Sequence, residues 1–121
     1  MNPKAREHRY TRLREMLCIA CTLEGMPQPM FPEIHHLNGG GHAGQKRRGD
    51  EFTIPLCPWH HQGRPPDPMT TIAGAYIEYG PSLKHHSRQF REKYGSDDYL
   101  LTCVNIEIEH RDRIARRTAC S

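Results

Sequence analysis

Hydrophobic positions in this chain come in short, interrupted runs, and the interruptions are as informative as the runs. Asn2-Pro3 opens a predicted helix over residues 3–17, with Leu13, Met16 and Leu17 as its modest apolar face. Cys18 and Cys21 follow as a tight knuckle, and Gly25-Met26-Pro27-Gln28-Pro29 breaks any regular structure. Residues 30–36 predict a short strand, which Pro32 restricts to an edge position. Residues 38–50 are rich in glycine, carry three adjacent basic residues and read as an exposed loop. A second short strand is expected over 52–56, ended by Cys57-Pro58-Trp59-His60. Residues 63–68 are irregular on their proline content. Helices are predicted over 69–79, weakened by Gly74, and over 82–94, stopped by Gly95. A last helix runs over 96–117, with Ser96 as its N-cap and two aspartates in its first turn. Leu101, Val104, Ile108 and Arg111 share one face of that helix, although residues 104–108 also alternate well enough to read as a strand.

The length, 121 residues, allows one domain over 1–121. Its expected parts are a basic N-terminal helix (1–17), a knuckle-bearing core (18–95), and a C-terminal helix and tail (96–121). Hydrophobic residues are 36% and aromatics 7% of the chain, so its core is thin and needs a metal or another staple. The formal charge of +3 is mild, but it is clustered. Lys4, Arg6, Arg9, Arg12 and Arg14 crowd the N-terminus, Lys46-Arg47-Arg48 sit mid-chain, and Arg111, Arg113, Arg116 and Arg117 end it. Segments of this kind attract phosphate or serve as solvated surface. Five cysteines, an odd count that includes C-x2-C, argue against a secreted disulfide framework and for a reducing compartment. No apolar run reaches membrane-spanning length and the polar N-terminus is no signal peptide, so a soluble intracellular protein is expected.

Two paired spacings change the picture most. Cys18-x2-Cys21 and Cys57-x2-His60 each offer two metal ligands from one tight turn. Together they make a Cys3His set suited to tetrahedral zinc, tying the N-terminal helix to the end of the second strand. Cys103 and Cys120 lack such a spacing and read as a helix thiol and a tail thiol. His35, His36 and His61 are left over. Neighbours on a strand point to opposite faces, so His35 and His36 do not readily serve one metal. One of them is free to bind a metal and the other to act on substrate, neutral histidine being a natural general base near pH 7.

The order C-x2-C, strand ending in His-His, glycine-rich loop and Ile54-Pro55-Leu56-Cys57-x2-His60-His61 resembles the HNH (ββα-metal) endonucleases built on a zinc knuckle. With Gly44-Gln45-Lys46-Arg47 and Phe90-Arg91-Glu92-Lys93-Tyr94-Gly95, the chain is most similar to the bacteriophage recombination-enhancement nucleases, the Ref-type, RecA-dependent members. The likeness spans roughly residues 15–100 and implies a small α+β domain, a treble-clef-like ββα-metal centre with flanking helices. It implies hydrolysis of DNA phosphodiester bonds with a structural Zn2+ and a catalytic divalent ion (Mg2+, Mn2+ or Zn2+). His36 would be the general base; His35, His61 and His85 would hold the catalytic ion, with His86 the alternative to His85. Lys46, Arg47 and Arg48 would contact DNA phosphates near the base. The partners implied are DNA and a RecA filament, and the setting is the cytoplasm of a bacterial host with a phage or prophage gene. Two departures stand out. The asparagine of the HNH motif is missing, the corresponding stretch being Asp50-Glu51-Phe52-Thr53, so Asp50 substitutes or the brace is absent. Residues 62–80 are long and proline-rich, delaying the final helix of the site. The competing reading is a non-catalytic zinc-dependent module that binds nucleic acid or a recombinase.

Overall fold

The computed structural model describes residues 1–28, 30–37 and 49–120. In chain order the elements are α1 (Pro3–Glu15), α2 (Ile19–Glu24), β1 (Glu33–His36), β2 (Thr53–Leu56), α3 (Pro58–Gln62), α4 (Ile72–Tyr79), α5 (Ser87–Tyr94) and α6 (Asp97–Cys120). The expected α+β class holds among the described residues. Residues 104–108 are helical, because Leu100, Leu101, Val104 and Ile108 bury one face of α6.

β1 and β2 pair antiparallel, with Glu33 opposite Leu56, Ile34 opposite Pro55, His35 opposite Ile54 and His36 opposite Thr53. Every residue of β2 is buried, whereas β1 is half-buried throughout. The pairing therefore lays β1 over the core strand and leaves its histidines within reach of solvent. Pro32 lies just before β1 and removes no ladder bond there.

Both knuckles contain short helices. In α1 the Asn2 side chain accepts the Ala5 N–H at 2.8 Å, and the helix stops at Met16, whose extended backbone turns the chain into Cys18. In α3 the Cys57 sulfur caps the His60 N–H at 3.5 Å, and Gly63 ends the helix at φ +71°. A side chain at Gly63 would be barred twice, by that left-handed backbone and by the His85 ring, which comes within 2.2 Å of where a Cβ would sit.

Two helices start later than the sequence predicts. The one expected over 69–79 begins at Ile72, because Asp67 takes the Met69 N–H and the Thr70 hydroxyl, leaving Thr71 to cap Gly74. The one expected over 82–94 begins at Ser87. Ser82 caps a turn of its own by accepting the His85 N–H at 3.0 Å, and His86 accepts the Ser82 N–H at 3.2 Å. His85 and His86 thus stand on a turn before α5 rather than within it.

The core gathers Leu13, Ile54, Leu56, Trp59, Phe90, Leu100 and Val104 around the two knuckles. Trp59 is wholly buried, and its indole N–H donates to the Gly80 carbonyl at 3.0 Å. Arg9 departs from its reading as a phosphate-attracting surface residue. It is buried, donating to the Thr53 hydroxyl at 2.8 Å, the Thr53 carbonyl at 2.6 Å and Asn105 Oδ1 at 2.9 Å, so it ties α1 to β2 and α6. Arg12 is likewise committed, at 2.7 Å from Asp112. Among the described residues no helix is long and apolar enough to cross a membrane.

Candidate metal centre and active site

Cys18, Cys21, Cys57 and His60 converge, with their ligand atoms all within 4.8 Å of one another and all four residues buried. His60 Nδ1 lies 3.6, 3.5 and 3.3 Å from the sulfurs of Cys18, Cys21 and Cys57, and the Cys21 and Cys57 sulfurs are 3.9 Å apart. A tetrahedral zinc ion with bonds of about 2.3 Å to sulfur and about 2.0 Å to nitrogen separates S from N by about 3.5 Å and S from S by about 3.8 Å. The donor set fits zinc in both chemistry and size. His60 is also turned correctly: its Nε2–H donates to the Tyr79 carbonyl at 2.9 Å, which leaves the Nδ1 lone pair facing the sulfurs.

The electrostatics agree. Burial opposes a charge on His60, yet the thiolates of Cys18 and Cys57 outweigh it and raise its pKa to about 10. Hydrogen bonding from Cys18 and Cys21, joined by His60, holds the Cys57 thiol far below its ordinary value. Sulfurs that draw a proton to His60 draw a metal cation to the same place.

The second group of histidines lies on the other side of α3. His60 faces inward to the sulfurs, while His61, the next residue, faces β1. Its ring centroid is 4.8 Å from that of His35, and its Nδ1 lies 3.0 Å from Glu33 Oε1. Glu33 also accepts from Gln62 at 3.1 Å and Arg64 at 3.0 Å, so this carboxylate is engaged and acts as an acceptor behind His61. His61 Nδ1 is thereby committed, which makes Nε2 its ring nitrogen for a cation. His35 is held neutral: burial first, then the nearby His61, His36 and Arg91, lower its pKa to about 4. A neutral His35 beside His61, which a carboxylate backs, offers donors suited to a divalent transition ion.

His36 points the other way, as the strand pleat requires. Its Nε2 lies 3.1 Å from Asp50 Oδ1 and 3.1 Å from the Tyr10 hydroxyl, and that hydroxyl donates to Asp50 at 2.9 Å. The hydrogen bonds from His36 and Tyr10, helped by Arg6 at 3.9 Å, keep Asp50 below the usual carboxylate range. An ionised carboxylate only accepts, so Nε2 carries the proton and the lone pair of a neutral His36 is on Nδ1.

His85 is brought into neither group. Its Nε2 lies 3.1 Å from the Gly63 carbonyl and its ring packs against Trp59, while His86 packs on Tyr76 at 4.5 Å between ring centroids. His42 and the basic run Lys46, Arg47 and Arg48 lie outside the described residues. Nothing along the chain pointed to Tyr10, which reaches the site through the packing of α1 on the sheet. Glu33 carried a weak signal, a carboxylate two positions before His35 and hence on the same strand face.

No curated protein and no solved structure matches the chain. Residues 3–108 match the family model described as recombination enhancement, RecA-dependent nuclease. With that match extending over most of its length, the chain belongs to the family of RecA-dependent recombination-enhancement nucleases.

Proposed function

We propose that this protein is a metal-dependent DNA endonuclease of HNH type, hydrolysing phosphodiester bonds in DNA coated by RecA. One observation supports this reading above the rest: adjacent histidines on β1 have separate employments. His35 meets His61 beside the Glu33 carboxylate, and His36 is held at Nε2 by Asp50, with no contact to its Nδ1 among the described residues. A metal-binding side and a proton-accepting side of one strand are what phosphodiester hydrolysis needs.

In this reading His36 Nδ1 takes the proton of a water molecule as its oxygen attacks phosphorus. The bond from phosphorus to the 3′ oxygen breaks and that oxygen takes a proton from solvent water, leaving 5′-phosphate and 3′-hydroxyl ends. His35 and His61 hold a divalent ion, which when bound supplies Lewis-acid stabilisation to the phosphate and the leaving oxygen. His85, seated over Gly63 at the end of the helix bearing His61, would be the candidate third ligand. Lys46, Arg47 and Arg48 serve as phosphate contacts that set affinity rather than sequence preference. The Cys3His site holds structural zinc throughout.

The test is cleavage of circular single- and double-stranded DNA with Mg2+ or Mn2+, with and without RecA and ATP, for wild type and His36→Ala. The variant is expected to lose about 10²- to 10⁴-fold in rate while keeping its zinc and its DNA affinity, the usual range for a general base. Wild-type rates in the variant, or no cleavage by zinc-loaded wild type under any condition, would replace this reading with a non-catalytic binding module.

A further inference from the structure

α1 looks peripheral in the sequence, a basic helix preceding the first knuckle. In the fold it reaches the candidate active site. Arg6 and Tyr10, four residues apart and so on one face of the helix, both converge on Asp50. Between them Arg9 clamps Thr53, the cross-strand partner of His36. Thr53 in turn donates its hydroxyl proton to the Asp50 carbonyl at 2.8 Å, fixing the turn that carries Asp50. His36, Asp50, Thr53 and Tyr10 therefore form a closed set in which no member can rotate without breaking a bond to another.

We infer that Tyr10 and Asp50 are positioning residues for His36, orienting its ring with Nε2–H toward α1 and Nδ1 toward the substrate. The inference rests on the reading of His36 as general base. Its geometric content stands apart from that reading: a carboxylate and a hydroxyl both meet Nε2, and nothing among the described contacts meets Nδ1. It also accounts for the missing asparagine. Asp50 braces the imidazole itself, and it is held in place from a helix that precedes the knuckles. The groups facing His36 on this side are Tyr10, Asp50 and, behind Asp50, Arg6.

The consequences separate positioning from mere stability. Asp50→Ala is expected to lower kcat about 10²-fold, the scale of a base displaced by about 1 Å, with KM changed by less than about twofold. Tyr10→Phe keeps the ring and loses the hydroxyl, and a loss on the order of 10-fold in kcat is expected. Added to His36→Ala, Asp50→Ala should lower the residual rate no further, since it acts only through the imidazole. A second readout needs no cleavage. In zinc-loaded wild type at alkaline pH, nitrogen-resolved NMR should find the His36 proton on Nε2 and slow to exchange. In Asp50→Ala that proton should exchange quickly.

A proton on Nδ1 in the wild type overturns the proposal, as does an Asp50→Ala loss that is equally large in the His36→Ala background. If His36→Ala cuts normally, the base reading fails, and the ring-proton measurement still decides the orientation by itself. Should Asp50→Ala not fold, Asp50→Asn, with the same shape, takes its place: a slowly exchanging Nε2 proton at wild-type level together with wild-type kcat would sink the role of the carboxylate charge.

Discussion

Two side-chain clusters, joined at adjacent residues of α3, show what surroundings do to a histidine. His60 is wholly buried among three sulfurs, its pKa raised to about 10, its Nε2 bonded to a backbone carbonyl and its ligand set complete. His35, across the helix beside His61, is pushed down to about 4 by burial and by neighbouring positive groups. One centre is closed, rich in thiolate and isolated from water. The other sets a neutral His35 beside His61, both partly exposed. The first has the marks of a structural metal site; the second is the proposed site that would admit a substrate oxygen. The lesson is that the knuckle does two jobs with one turn of helix, since placing His60 in the sulfur cage aims His61 at β1.

The hardest way to break the comparison is to remove a ligand from the closed side. Cys57→Ser replaces a thiolate by a hydroxyl that zinc does not hold, and it also removes the sulfur cap of α3. Structural zinc contributes roughly 10–16 kcal/mol of apparent folding energy in small zinc domains, comparable with the whole stability of an ordinary domain, about 5–15 kcal/mol. Cys57→Ser should therefore lose both its zinc and its cooperative unfolding transition, as read by metal analysis and circular dichroism. His61→Ala, one turn position from the same cage, should keep both. A Cys57→Ser protein that melts cooperatively near the wild-type temperature would show that the cage is not what holds the fold.

How legible each side was in the sequence follows from the range of the contacts that build it. The candidate zinc ligands come in pairs with two residues between them, a geometry set within one turn, so the grouping of Cys18, Cys21, Cys57 and His60 could be read directly. The opposed directions of His35 and His36 follow from the strand pleat alone. The role of Asp50 could only be half seen, as a residue standing where a brace was due, because its contact with the imidazole depends on a strand 14 residues away. Tyr10, 26 residues from His36, belonged to a helix with no sequence link to the site. The late start of α5 was hidden for a different reason. Ser82 makes the bond to His85 N–H that an N-cap makes, but the next residues are held off the helix by contacts to Gly63 and Tyr76 in other elements. Local rules see the cap and miss the competitors.

A gentler change sharpens the contrast from the open side. Glu33 stands behind His61 as the Tyr79 carbonyl stands behind His60, but it is a charged side chain and so can be altered. Glu33→Gln keeps the shape and removes the charge that favours a proton on His61 Nδ1. Affinity for Mn2+, measured by calorimetry on zinc-loaded protein, is expected to fall about 10- to 100-fold, the usual effect of removing an outer partner of a ligating histidine. The melting temperature should hardly move, since the pairing of Glu33 with the exposed Arg64 is worth less than about 1 kcal/mol. Unchanged Mn2+ affinity would say that the ion does not sit on His61.

The smallest expected effect concerns the depressed pKa of His35. In the unfolded chain this imidazole takes up a proton near pH 6.5, whereas in the folded chain it refuses one until about pH 4. The sign follows from linkage: as pH falls below 6.5 the unfolded state binds more protons, so folding stability drops across the window from 6.5 to about 4 and is fully present above it. The slope from one such group cannot exceed about 1.4 kcal/mol per pH unit, and partial exposure makes it less. His35→Asn removes that proton site. With zinc kept saturating, the stability of wild type relative to His35→Asn, from urea unfolding at pH 7, 6 and 5, should therefore fall as the pH is lowered. A difference that stays flat across those three values would mean that His35 titrates normally, and that the neutral, metal-ready imidazole separating the open site from the closed one is not preformed. His60 cannot stand in for it in this experiment, because with zinc kept saturating its Nδ1 is taken up in the Cys3His set.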